Sequence, residues 1–396
     1  MKIKRSKILR AVGLVILTML AGAMNSLQAD NGTCNGGSIT LPFSDVAGSI
    51  FFCQIAEAYF CGLTNGSSAT TYSPAAPVPR EQMAAFITRT MDQSLKRSSR
   101  RGKLQQWWTQ KAFTSTALTP VGSNPGGVKS DGKDLWVTNG DGTVTRIRGC
   151  DGKVLETWTG MIFPREVLVA NGRIYVIGGT SPGKLYAIDP DQPPGNATLL
   201  TDVANYPAGI AYNGEYLMLS SFSGSNSGGV TIYHVPSHGK TTVTTGFSDP
   251  WGVIYDGNAF WVTDVGDNQI KRLNVNGQIQ QSIVLGSHSY QPIFDGANIW
   301  IPCRDQNLVI VVKASNGSVI ALLTGNGLSG PVSASFDGER VMIVNNLGNS
   351  VSLWRASDLS PLGSVSTGAN TSPSGVCSDG RNFWITLSAT NKLARF

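Results

Sequence analysis

The stretch DPWGVIYDGNAFWVTDVGDNQIKRLNVNGQIQQSIVLG, residues 249–286, holds four short runs of β-branched and aromatic residues. They fall at 251–255, 260–263, 270–273 and 279–284, separated by Asp256-Gly257, the polar loop 264–268 and Asn276-Gly277. Gly, Asn and Asp tolerate the positive φ of tight turns, so the pattern predicts four antiparallel strands in one small sheet. A lone sheet of this kind cannot cover both faces and needs copies of itself beside it.

The copies are written along the chain. The Asp/Asn-Gly turn recurs with its Gly at 132, 172, 214, 257, 296, 338 and 380, at spacings of 40, 42, 43, 39, 42 and 42 residues. Pro125, Pro207, Pro250, Pro331 and Pro373 stand six residues ahead of the Asp or Asn; the second copy has Pro164 one residue further off, and the fifth has Ser289 instead. Trp136, Trp261, Trp300 and Trp384 follow the Gly by four residues, inside the second strand. A period near forty residues, repeated seven times, predicts a mainly β fold: a seven-bladed β-propeller. The seventh copy stops one strand short, and an orphan run at 116–121 precedes the first copy. The economical pairing closes the ring with that N-terminal strand and leaves no exposed edge.

The repeat P-x-G-(V/I)-x-x-DG-x-x-(L/F)W-V-T resembles the YVTN/NHL group of seven-bladed propellers. It is also similar to the virginiamycin B lyase-like branch. The resemblance covers residues 104–396. Its motifs are blade scaffold, which specifies fold and leaves function to the site built on it. The lyase-like branch implies a metal and a catalytic histidine.

Residues 1–29 carry Lys2, Lys4, Arg5, Lys7 and Arg10, then an apolar run at 11–24, then Leu27-Gln28-Ala29. That is the pattern of a secretory signal peptide cleaved after Ala29, so the expected location is the periplasm, the cell surface or the medium. Its apolar run is shorter than the ~20 residues a membrane helix requires, so no transmembrane segment is expected in the mature chain. Five of the 31 basic residues leave with the leader, and the remaining 26 stand against 25 acidic ones. From Leu104 onward 19 basic side chains face 20 acidic ones, which argues against a nucleic-acid partner.

Residues 30–93 form a different unit. Phe51, Phe52, Ile55, Ala56, Tyr59, Phe60 and Leu63 recur at helical spacing, and a second helix is predicted from Pro79, burying Met83, Ala84, Phe86, Ile87 and Met91. Phe43, Asp45, Val46, Gly62, Gly66, Tyr72, Pro74 and Arg80 together resemble one S-layer homology (SLH) module. In that family the modules come in threes and attach proteins to wall polymer, which makes Arg80 an envelope-binding candidate. With one module visible, attachment would require self-association or another partner in the envelope, polymer or protein. The basic stretch 94–103 reads as a solvated hinge.

The cysteines are Cys34, Cys53, Cys61, Cys150, Cys303 and Cys377. Cys53 and Cys61 lie eight apart on one predicted helix, roughly 12 Å along its axis, too far to bridge each other. Cys34 could reach either. Cys150, Cys303 and Cys377 are expected to be free, buried, small residues.

The loops between blades share a face with the loops joining second and third strands, and that face should carry the site. It gathers ligand-binding candidates Arg165, Glu166, Tyr206, Asp249, Trp251, Tyr290, Arg304 and Asn346. Each has a plainer role available: Asp249 could cap a turn, Trp251 could wedge between blades, and Arg304 could pair with Asp305 locally. Asp264, Asp267 and Asp305 are the only candidates for holding a divalent cation; no other cofactor is expected. Of the three histidines, only His288 falls on this face, so it is the one candidate for a catalytic base; His234 and His238 fall on the other. The composition therefore favours an exported, non-enzymatic binding protein of the envelope. A metal-dependent propeller lyase or hydrolase, and a structural surface-layer component, are the rival readings.

Overall fold

The computed structural model describes residues 29–34, 37–60, 63–98, 118–224 and 228–396. Two compact units divide between Leu95 and Lys96. The leader read at 1–29 lies outside the described residues except for Ala29, as do residues 99–103 of the hinge.

The first unit pairs Asp30–Cys34 with Gly37–Leu41 in a hairpin, followed by helices α1 (Phe52–Phe60) and α2 (Arg80–Ser98). Its core is Leu41, Phe43, Val46, Phe52, Ile55 and Ala56. The hairpin, which the helical spacing did not announce, supplies half of what α1 packs on. Asp30 accepts the backbone N–H groups of Val46 and Ala47, and Asp45 accepts those of Tyr72 and Ser73. Phe43 sits between the rings of Tyr59 and Tyr72. The disulfide joins Cys34 to Cys53, with Cα atoms 5.6 Å apart. Two expectations are corrected. Met83 and Ile87 of α2 stay exposed, as do Phe51 and Phe60, because the hairpin and α1 already fill the small core. Helix α2 also continues through Ser98, into the stretch read as hinge.

In the second unit the described residues form seven four-stranded antiparallel sheets. The innermost strands of blades 1 to 7 are Pro125–Ser130, Glu166–Ala170, Pro207–Tyr212, Pro250–Tyr255, Ile293–Phe294, Pro331–Phe336 and Pro373–Ser378. The seventh sheet takes three strands from the C-terminus and one, Leu118–Pro120, from the N-terminal side. Leu118, Thr119 and Pro120 face Ala394, Leu393 and Lys392. Ring closure therefore hides what would otherwise be an open sheet edge.

The Asp-Gly turn does more than reverse the chain. In blades 1, 4, 5 and 7 the Asp accepts the backbone N–H groups two and three residues on with one oxygen. Its other oxygen accepts the indole N–H of Trp136, Trp261, Trp300 or Trp384 at 2.7–2.9 Å. These indoles are fully buried, each in a cluster that includes residues of the next blade. Arg340 takes the indole's place on Asp337 in blade 6. Blade 2 instead has Asn171 and Gly172 both at positive φ, 51° and 69°, the conformation of a type I′ turn.

A second repeated device joins blade to blade. Thr138, Ser220, Thr263 and Thr386, in second strands, each accept a hydrogen bond from the backbone N–H of Gly127, Gly209, Gly252 or Gly375 in their own blade. Each hydroxyl then donates to a first-strand carbonyl of the next blade: Arg165, Trp251, Tyr290 and Gly126 respectively. Blade 6 moves the hydroxyl to the first strand, where Ser333 donates to the Ser374 carbonyl. Glycine is required because the blades nearly touch here: a Cβ at Gly209 would lie 2.6 Å from the Trp251 oxygen, and one at Gly252 2.8 Å from the Tyr290 oxygen.

Deleting residues 118–121 should expose the last blade's edge, and the expected outcome is loss of a single cooperative melt with aggregation. Retention of the parent's melting curve would contradict the closure. Thr263→Val keeps the side-chain volume and strands the Gly252 N–H and Tyr290 carbonyl. Denaturant titration should show a loss of about 1–3 kcal/mol.

Candidate functional site at the channel mouth

The interblade hydroxyls fix which side chains can reach the ring axis. In the repeat P-x-G, the Gly backs onto the neighbouring blade and the x residue gives its carbonyl to the junction. Its side chain is then left for the central channel. The seven x positions are Gly126, Arg165, Ala208, Trp251, Tyr290, Val332 and Ser374, and all seven line a channel of about 740 Å³. The Gly is replaced by Glu166 in blade 2, Gln291 in blade 5 and Ser333 in blade 6, and all three also line the channel.

The ring is lopsided. Blades 1, 3, 6 and 7 contribute Gly, Ala, Val and Ser, whereas blades 2, 4 and 5 contribute Arg165, Trp251 and Tyr290. Because Ala208 is small, Arg165 reaches across blade 3, and its guanidinium carbon sits 4.7 Å from the Trp251 ring centre. Trp251 meets Tyr290 edge-on at 5.3 Å and Phe222 at 5.2 Å. The run continues to blade 5, where Tyr290 N–H donates to the Pro302 carbonyl and Ser289 bridges Cys303, one residue before Arg304. Arg304 and Asn346 complete the candidates on the lining, and the Asn346 amide donates to the Pro373 carbonyl at 3.0 Å.

The electrostatics are one-sided. The lining holds Lys129, Arg165 and Arg304 against the single carboxylate Glu166. Glu166 lies 3.6 Å from the Lys129 ammonium. Arg165 opens to the channel but is enclosed by protein elsewhere, and this desolvation lowers its pKa, against a smaller raising effect of Glu166. The Arg304 side chain has no hydrogen bond or ion pair among the described residues, and its Nε is buried without a partner. The Nε atoms of Arg272 and Arg381, off the channel lining, are unpaired in the same way, so what distinguishes Arg304 is its place on the channel.

Other candidates lie off the lining. Asp249 is buried and accepts the N–H groups of Ser223 and Gly224 and the Ser223 hydroxyl, which makes it a loop organiser. Tyr206 is exposed at the rim, with φ at 50°. The three aspartates considered for a cation are not brought together. Asp264 accepts the Ser248 and Asp249 N–H groups and pairs with Lys271 at 2.6 Å, and Asp267 closes on the same ammonium. Asp305 pairs instead with His288, half exposed and off the channel lining. No group of three or more His, Cys, Asp or Glu able to hold a metal occurs among the described residues. On the opposite face His234 pairs with Glu215, and His238 bonds the Tyr233 hydroxyl. Arg80 is exposed at the start of α2.

Sequence reasoning passed over Lys129, Gln291, Phe222 and Lys271. Aligning the copies on P-x-G would have exposed Gln291 as a departure, whereas Lys271, beside Arg272 in the run QIKRL, carried no such signal. Cys303 and Cys377 are free and buried as expected, but Cys150 is exposed.

No protein-family model matches the chain, and no curated protein matches it by sequence. Solved propellers do match in structure. A streptogramin B lyase aligns with TM-score 0.58 at 15% identity, covering 71% of this chain and 99% of that one. The Kuenenia stuttgartiensis hydrazine synthase aligns at 0.59 and 18% identity, covering 73% and 98%. The WD40 β-propeller domain of Doa1 aligns at 0.59 and 14%, covering 73% and 97%. At such identities the likeness is one of fold alone.

Burial pushes the Cys303 thiol up to about 12 and raises Cys377 as well. Both stay protonated near neutral pH, whereas the thiolate is the reactive form. At pH 8 a thiol reagent should label Cys150 on the folded protein, and Cys303 and Cys377 only after unfolding. Labelling of either buried thiol in the native state would contradict this packing.

Proposed function

We propose that the propeller is a ligand-recognition platform whose site is the channel mouth, carried by an exported protein of the bacterial envelope. The observation that supports this best is the ring of x positions. Pro precedes this position in six of the seven copies and Gly follows it in four, while the side chains at the position itself range from Gly126 to Trp251. The channel's 740 Å³ falls among the volumes of small-molecule sites. Its wall mixes aromatic surface with a few converging polar groups, as recognition sites do. In the same reading the first unit is an SLH-like module for envelope association or self-association, with Arg80 as a contact. The leader at 1–29 would deliver the protein there.

Ser374→Trp tests the site without dismantling the scaffold, because blade 4 already carries Trp251 at this position of the ring. The variant should melt like the parent, since the added indole enters the open half of the channel. Wild type and variant would be incubated with envelope extract, re-isolated and analysed for retained compounds by mass spectrometry. Retention by the wild type and its loss in the variant is the expected result. Equal retention would place the site elsewhere.

A further inference from the structure

The strongest unexplained feature of the molecule is charge, and its interpretation rests on the channel-mouth reading above. Within the blades, the most deeply buried charged groups are paired. Arg146 has Asp134 and Glu156, and buried Lys271 has Asp264 and Asp267. At the mouth, Arg165, which is exposed, and Arg304, which is half-buried, line the channel without such a pair. Arg165 has Glu166 near it without an ion pair and rests on Trp251. Arg304 has the neighbour that should neutralise it, Asp305, but that carboxylate is held by His288.

Two guanidiniums on one concave wall, without paired carboxylates, constitute a site that is electrostatically incomplete. We infer that the channel mouth takes an oxyanion, a carboxylate or phosphate, carried on a ring or other apolar body. The oxyanion accepts from the Arg165 and Arg304 guanidiniums, whose planar forks match carboxylate and phosphate geometry. The body lies along Trp251 and Tyr290, whose rings form a continuous edge-to-face pair. The open side, lined by Gly126, Val332 and Ser374, supplies the volume. Exposed Phe163, Ile162, Tyr206 and Leu347, on interblade loops and on a loop after a second strand, add apolar surface for a longer ligand. A cationic ligand is disfavoured because Glu166, the one carboxylate of the lining, already faces Lys129.

The test uses the full mature chain and simple probes at low ionic strength. Phenyl phosphate, benzoate and inorganic phosphate are compared by calorimetric titration with neutral benzyl alcohol and cationic benzylammonium. Arg165→Gln and Arg304→Gln are measured beside the wild type, after their melting curves confirm folding. The expected result is that phenyl phosphate and benzoate bind tenfold or more tighter than benzyl alcohol, with benzylammonium weakest. Inorganic phosphate should bind more weakly than phenyl phosphate, because it lacks the ring. Each Arg→Gln should cost the anions tenfold or more and leave benzyl alcohol unchanged. Absence of anion binding, or no preference for anions over benzyl alcohol, overturns the inference. If neutral probes bind and Ser374→Trp abolishes that binding, the charge assignment fails while the channel-mouth site survives. If anions bind indifferently to both Arg variants and to Ser374→Trp, both the inference and the site are wrong.

Discussion

The structure depends on a buried hydroxyl at the junction between blades. Thr263 shows the logic: its oxygen accepts from Gly252 in its own blade and its proton goes to the Tyr290 carbonyl in the next. One side chain thereby satisfies the Gly252 N–H, which sits in the bulged pairing of first and second strands, together with a carbonyl of the neighbouring blade. Each junction ties one blade to the next, and Thr386 to Gly126 ties the last to the first, through a contact that a low-dielectric interior strengthens. Two junctions lack the hydroxyl, because Gly178 and Pro302 occupy its place in blades 2 and 5. At the latter, the Gln291 N–H donates directly to the Val332 carbonyl. The device also favours glycine beside it, and the residue before that position lines the channel in every blade. Architecture and site are then consequences of the same constraint.

Electrostatic pairing explains why the mouth has the character it does. A buried charge is tolerable only with a partner. Asp264 and Asp267 satisfy Lys271 within blade 4, and Asp134 satisfies Arg146 within blade 1, so these carboxylates are spent inside their own blades. His288 performs the less obvious task of drawing Asp305 away from Arg304. The result is a polar, aromatic wall whose excess charge is positive, on a propeller whose overall charge is nearly balanced from Leu104 onward.

The fold was legible because its signals are local and repeated. The four runs of 249–286 correspond to Pro250–Tyr255, Phe260–Asp264, Gln269–Leu273 and Ile279–Val284 within a residue or so at each end. The closing strand was legible from the missing member of the seventh copy. Six of the eight ligand-binding candidates, Arg165, Glu166, Trp251, Tyr290, Arg304 and Asn346, line the channel, because the loop order of a propeller assigns them to one face. Asp249 and Tyr206 come from the same loops, but side-chain direction depends on local hydrogen bonds that spacing does not encode. The pairing of Asp305 with His288 rather than with adjacent Arg304 is of the same kind. In the first unit, helical periodicity identified α1 and α2 but not which of their faces would find a partner. The hairpin of Asp30–Cys34 and Gly37–Leu41 decides that, and its short polar strands carry little periodic signal.

The repeat places its variable first-strand position on a channel mouth whose lining carries three cationic side chains and one carboxylate. A crystal structure of residues 30–396 grown with phenyl phosphate is the decisive test. The account predicts the phosphate oxygens against the Arg165 and Arg304 guanidiniums and the phenyl ring along Trp251 and Tyr290. A mouth without the ligand, with Asp305 turned from His288 onto Arg304, would contradict it.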